Sequence, residues 1–207
     1  MTASLNLASV FADAITQHFA IISHLDAQRD SFERAAIHMS DCLLQGHKVL
    51  WCGNGGSAAQ AQHLAAELVG RFRSDRRALP SIALTADTSV LTAIANDCGF
   101  AEIFDRQLEA LCAPGDVVIG ISTSGKSRNV CAALQRARKL GAFTVAMTGE
   151  TGGHLASYAD VCLRVASSDT ARIQEGHLLL GHILCEWVDL ATCIDQAVSV
   201  ATPVGAI

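Results

Sequence analysis

Charge is scarce in this chain, and long apolar runs are missing. Only 17% of its 207 residues are charged, while half are hydrophobic. That is apolar for a small soluble monomer, so oligomer interfaces are expected. No window holds 18 uncharged apolar residues, which predicts no transmembrane helix and no membrane partner. The first twenty residues, MTASLNLASVFADAITQHFA, lack a basic segment and include Asp13, so they do not read as a signal peptide. Nor is there a basic excess. Fifteen Lys and Arg against twenty Asp and Glu give a net charge of −5, which argues against a nucleic-acid binder. Eight cysteines are present, but none forms a C-x-x-C pair. The expectation is buried, reduced thiols in a cytoplasmic protein, not a metal knuckle or a disulfide frame. Internal repeats and linkers are absent too. The chain reads as a single domain over 1–207, with an N-terminal helical pair (1–46), an α/β core (47–170) and a C-terminal helix (171–198).

What is present centres on Lys48 to Leu68, KVLWCGNGGSAAQAQHLAAEL. Val49 to Cys52 is an apolar run suited to a strand buried on both faces. Gly53-Asn54-Gly55-Gly56 allows a tight turn and close approach of a ligand. Ser57 and Gln60 have capping-box spacing, so Ser57 is expected to cap the next helix and leave its N–H groups aimed at an anion. His63 and Glu67 stand four residues apart, on one helix face. Such a pair is common on ordinary helices. Its place beside a glycine loop at the carboxyl end of a strand, where α/β sheets bind ligands, gives it functional weight.

The remaining elements alternate. Two amphipathic helices over residues 4–45 carry Leu7, Val10, Phe11, Ala14 and Ile15, then Phe32, Ala35, Ala36, Met39 and Leu43, and should pack on the sheet or another subunit. Arg71, Arg73, Arg76 and Arg77 crowd a segment that is either a solvated helix end or, through Arg71, an anion contact. PSIALT is a second strand. A helix from Ser89 ends in the turn signature Asn96-Asp97-Cys98-Gly99, where Asn96 and Asp97 either turn the chain or bind sugar hydroxyls. A helix from Glu102 to Leu111 precedes the strand Val117 to Ile121. Ala142 to Met147 and Val161 to Val165 are further strands, and a short helix between them holds His154 at the surface. A last helix spans about Thr170 to Val198. Strands alternating with helices predict a doubly wound parallel sheet of five strands.

Gly120 to Ser127 matches G-x-x-x-x-G-K-[ST] between a strand and a helix, yet Asp87 is the only candidate for the magnesium-holding acid a P-loop enzyme requires. The serine content points instead to a phosphate-monoester basket of Ser122, Thr123, Ser124 and Ser127 at a helix N-terminus. In the last helix, Gln174 and His182 differ by roughly 80° around the axis, whereas His177 and His182 differ by about 140°. So Gln174 and His182 can share one site. His63, Glu67, Gln174 and His182 offer two imidazoles, a carboxylate and an amide oxygen, a ligand set suited to catalytic zinc.

CGNGGSAAQAQHLAAEL, AIANDCGF, GISTSGKS and RIQEGHLLLGHIL together resemble the bacterial phosphoheptose isomerases of the SIS (sugar isomerase) domain superfamily, across nearly the whole chain. The resemblance implies a three-layer α/β sandwich of flavodoxin-like order with two added N-terminal helices. It also implies a cytoplasmic homotetramer with sites at subunit interfaces, one zinc per subunit, and an aldose–ketose isomerisation of sedoheptulose 7-phosphate feeding lipopolysaccharide heptose. Carried over by position, Asn54, Gly55, Gly56, Ser57, Arg71, Asn96, Asp97 and Gln174 would meet substrate. Ser122, Thr123, Ser124 and Ser127 would hold its phosphate. His63, Glu67, Gln174 and His182 would bind zinc, with Glu67 and His182 as the acid/base pair. Glu67 cannot be a tight ligand and a free base at once, so its coordination is expected to change during turnover. Lys126 stands where the family usually has Asn. A binding protein of the replication-initiator-associating type shares the fold, the serine loop and the IQE stretch, but looks to have lost the pair that this chain keeps.

Overall fold

The computed structural model describes residues 6–201, with side chains to Asp195; residues 4 and 5 of the first expected helix lie outside them. Two helices come first, α1 (Leu7–Leu25) and α2 (Arg29–Leu44). Then follow β1 (Val49–Gly53), α3 (Gly56–Val69), β2 (Ser81–Ala83), α4 (Thr88–Asp97) and α5 (Asp105–Leu111). The second half runs β3 (Val117–Ser122), α6 (Arg128–Lys139), β4 (Phe143–Thr148), β5 (Val161–Arg164) and α7 (Thr170–Ala201). All five strands are parallel, in the order β2-β1-β3-β4-β5. The order reverses between β1 and β3, so their carboxyl ends flank the crevice where sheets of this topology bind ligands.

Alternate residues of the buried strands feed two separate cores. Val49, Trp51, Ile119 and Ile121 pack with α2, α3 and α7, while Leu50, Cys52 and Val118 pack with α5 and α6. In α2, Ala35, Ala36, Met39 and Leu43 are buried as the spacing predicts. The apolar row of α1 is not: Leu7 is 83% and Phe11 70% exposed within one protomer. The same face meets α7 only further along, through His18, whose Nδ1 lies 2.8 Å from Glu175. By length and apolarity α7 could cross a bilayer. Here its inner stripe, Ile173, Leu180, Leu184, Cys185 and Val188, belongs to the protein core.

Several expectations need correction. The Ser57–Gln60 capping box does not form. Gly55, at φ +55°, takes the cap position, and backbone carbonyls of Asn54 and Gly55 already accept from Ser57, Ala58 and Ala59. With those donors satisfied, a side-chain cap has nothing to add, and Gln60 turns elsewhere. The arginine-rich segment is not uniformly a solvated helix end, because the Arg76 side chain is fully buried. It donates to the Glu67 and Leu68 carbonyls, both at 2.9 Å, and pairs with Asp189 at 2.5 Å. The fifth helix begins at Asp105, after a short 3-10 turn, and not at Glu102. Asn96 and Asp97 close the last turn of α4, leaving Cys98 and Gly99 to make the bend. Cys98 is exposed, unlike the thiols of Cys42, Cys52 and Cys185, which burial pushes up to about 12 and makes unreactive.

Burial opposes ionisation of Asp189, but the Ser74 and Arg73 N–H groups and the Arg76 guanidinium outweigh it and hold the carboxyl below its usual range. Asp189→Ala would leave Arg76 buried without its counter-charge, and urea unfolding at pH 7 should show a loss of about 3–5 kcal/mol. His177 is also buried, and it donates from Nε2 to the Thr148 carbonyl at 3.0 Å. Burial lowers its pKa to about 4. The unfolded chain takes up that proton near the ordinary value of about 6.5, so this contribution is complete above pH ~6.5 and fades as pH falls to 4. Urea unfolding should lose about 2 kcal/mol between pH 7 and pH 5 on this account. His177→Gln, which keeps a donor for Thr148, should remove that component.

Candidate active site

The carboxyl end of β1 leads into Asn54 and Gly55, and the start of α3 places Gly56 beside α7. A Cβ on Gly56 would stand 2.3 Å from Nε2 of Gln174, so the Gln174 amide rests directly against this bare backbone. Gln60, one turn further along α3, donates from Nε2 to the Gln174 carbonyl at 2.6 Å. Leu64 then meets Gly181, where a Cβ would come within 2.5 Å. The two helices therefore run side by side in the same direction, and two glycines let them approach closely.

The next contacts along this crossing are chemical. His63 Nε2 lies 2.8 Å from His182 Nε2 and 3.4 Å from Glu67 Oε1. The three side chains each offer a ligand atom within 4.8 Å of the others. Phe72 lies tilted over His182, ring centroids 5.6 Å apart. The group opens to solvent, with the His63 side chain 46% exposed and Glu67 half-buried at 22%. Ligands about 2.1 Å from a tetrahedral zinc stand roughly 3.4 Å apart. The His63–Glu67 separation meets that, and the two imidazoles would need to spread by about half an ångström. Two nitrogens and a carboxylate oxygen on rigid helices thus fit the ion that the resemblance implies.

The second loop follows β3. Ser122 and Ser127 face each other, Oγ to Oγ, at 2.9 Å. Ser127 occupies the cap position of α6 but makes no side-chain cap, so its hydroxyl stays in the loop. Ser124 Oγ accepts from the Lys126 N–H at 3.2 Å. The N–H groups of Ser127, Arg128 and Asn129 have no protein acceptor among the described residues. They remain available to an anion at the α6 N-terminus. Gly125, at φ +63°, packs so tightly on the β4–β5 connection that a Cβ would lie 2.2 Å from the Gly152 carbonyl. Thr123, Ser124, Lys126, Ser167, Ser168 and Thr170 help line a cavity of about 190 Å³ here. A larger cavity, about 630 Å³, sits at the amino ends of β3 and β4, away from both loops. Its size does not outweigh the convergent ligand atoms between α3 and α7.

Not every expected residue joins this group. Asn96 and Asp97 are exposed and bonded to each other at 2.8 Å, and Asp97 is not among the carboxylates clustered with the two histidines. Arg71 is exposed just beyond the end of α3. Asp87 caps α4 by accepting from the Val90 N–H, which removes the acid that a P-loop reading needed. The supporting roles of three residues escaped the sequence reading. Gln60 had a signal in its place three residues before His63, and Asn129 in its place two after Ser127. Arg76 had none, since burial of one arginine among four cannot be told from spacing.

Comparison with known proteins shows the family. The SIS domain family profile matches residues 11–149. A phosphoheptose isomerase of Aquifex aeolicus (strain VF5) is 59% identical over 155 residues, 75% of this chain and 81% of that protein. Another, from Aliarcobacter butzleri (strain RM4018), is 48% identical over 181 residues, covering 87% and 96%. Among solved structures, a phosphoheptose isomerase from Neisseria gonorrhoeae superposes with a TM-score of 0.83 at 42% identity, covering 89% of this chain and 99% of that one.

The Gly56 seat can be tested directly. Gly56→Ala should displace the flexible end of Gln174 and leave the backbone in place. The thermal midpoint should hold, and were Gln174 to serve as a zinc ligand, zinc affinity in chelator competition would fall about tenfold or more.

Proposed function

The chain belongs to the SIS domain family and, within it, to the phosphoheptose isomerases that interconvert sedoheptulose 7-phosphate and D-glycero-D-manno-heptose 7-phosphate, and from that premise we propose how its residues divide the reaction. The observation that carries the proposal is the meeting of His63, Glu67 and His182 where α3 and α7 run side by side. The serine loop follows β3, beside the loop that joins β1 to α3.

The substrate phosphate sits in the basket of Ser122, Thr123, Ser124 and Ser127, with the α6 N–H groups beneath it. Lys126, exposed at the rim, adds a positive charge. Anchoring the far end in this way fixes C1 and C2 near the acid/base pair. Glu67 takes the proton from C1 of the ketose, and the electron pair left behind forms a C1–C2 double bond. The C2 oxygen gains negative charge, giving an enediolate. Glu67 returns the proton to C2, while His182 carries the hydroxyl proton from O1 to O2, leaving the aldehyde at C1. His63, Glu67, Gln174 and His182 would hold zinc, whose charge would steady the developing oxyanion. Asn96, Asp97 and Arg71 are exposed on this protomer, which suits contacts to substrate across a subunit boundary.

The exposed apolar rows of α1 and of Ile183, Trp187, Leu190 and Ile194 on α7 support assembly as a homotetramer. The cellular role that follows is supply of heptose for lipopolysaccharide in the cytoplasm. A purely binding role of the replication-initiator-associating type has no need for Glu67 and His182 to converge.

Glu67→Gln should fold and bind inorganic phosphate like the parent, while turnover of sedoheptulose 7-phosphate drops by about 10²–10⁴-fold. His182→Asn should do the same in a coupled assay. Substantial turnover by Glu67→Gln would remove it as the base.

A further inference from the structure

The ladder between β1 and β3 ends with Gly53 opposite Ile121. Beyond that rung the two loops separate, one towards the reacting carbons and the other towards the phosphate. Among the described residues, they are joined by one pair of side chains. Asn54 Nδ2 donates to Asn129 Oδ1 at 2.9 Å, and Asn129 Nδ2 donates back to Asn54 Oδ1 at 2.8 Å. Asn129 Oδ1 also accepts from the Val130 N–H at 3.0 Å, which fixes it to the first turn of α6. It is only 2% exposed.

We propose that Asn129 is a positioning residue: its reciprocal amide pair with Asn54 sets the distance between the phosphate basket and the proton-transfer end. This rests on the isomerase reading, because only a substrate spanning both loops makes their separation matter. Each asparagine uses a donor and an acceptor at once, so neither amide can rotate without breaking both bonds. The pair extends the sheet by one side-chain rung at the point where strand order reverses. It also commits the amide that was expected to contact substrate. Asn54 then has its backbone and one remaining amide hydrogen to offer the sugar.

The experiment is a double-mutant cycle with Asn129→Ala, Asn54→Ala and the double variant. Three quantities are measured: kcat, KM for sedoheptulose 7-phosphate, and the inhibition constant of inorganic phosphate, which touches one loop only. Asn129→Ala should lower kcat/KM about tenfold and leave the phosphate constant within about twofold. The double variant should be no worse than Asn54→Ala. Asn129→Ser, which is neutral and too short to reach Asn54 but keeps a polar atom in the first turn of α6, should behave like Asn129→Ala, and it decides the matter if the alanine variant does not fold. Unchanged kcat/KM, a phosphate constant that weakens in parallel, or losses that multiply would each overturn the clasp. Failure of the parent chain itself to isomerise the sugar would instead sink the reading beneath it.

Discussion

The parallel crossing of α3 and α7 is the constraint on which the site depends. Neither helix holds a complete set of reactive groups. His63 and Glu67 come from one, His182 and Gln174 from the other. Their separation is fixed at three heights. Gly56 and Gln60 seat Gln174 near the amino ends, Leu64 fills the notch of Gly181, and Arg76 ties the last carbonyls of α3 to Asp189. A buried arginine of this kind contributes less to net stability than to uniqueness, since its desolvation offsets much of its attraction. What it secures is register. A slip of α7 by one residue would rotate His182 about 100° away from His63.

The second organising feature is electrostatic. The chain carries a net charge of −5, yet its substrate is an anion. Attraction therefore has to be local. On the proposed reading it arises from hydroxyl dipoles, free N–H groups at one helix end and Lys126, rather than from the protein's overall field. The amino end of α3 contributes less than its glycine loop suggests, because its first donors are spent on backbone turns. The two loops look alike in sequence but have separate duties.

The fold was readable because its signals are redundant. Each buried strand is a short apolar run, each is followed by a glycine or serine turn, and the intervening helices have clear faces. His63, Glu67 and His182 were readable for the same reason, as a spacing rule on one helix and an angular one on another. What escaped depends on contacts between distant segments. Gln60 satisfies a local capping rule on paper, but its amide goes to a carbonyl 114 positions away. Asn129 looks like an ordinary helix-start residue until β1 and β3 are placed side by side. Arg76 is one of four arginines, and only the packing of α7 singles it out. Local chemistry can be read along a chain; pairing across it requires the topology first.

The wedging of Gly125 between the backbones of Gly152 and Gly153 has a further consequence. Gly125 is also tethered, its N–H to the Ser122 carbonyl and its carbonyl to the Leu155 N–H, so on the proposed reading the anchor for the phosphate exists before any sugar arrives. Capture then costs little ordering entropy, and every phosphomonoester of suitable size meets the same ready-made socket. Discrimination between sugars of different length or configuration must therefore be exercised at the opposite end of the molecule, where hydroxyl stereochemistry is met.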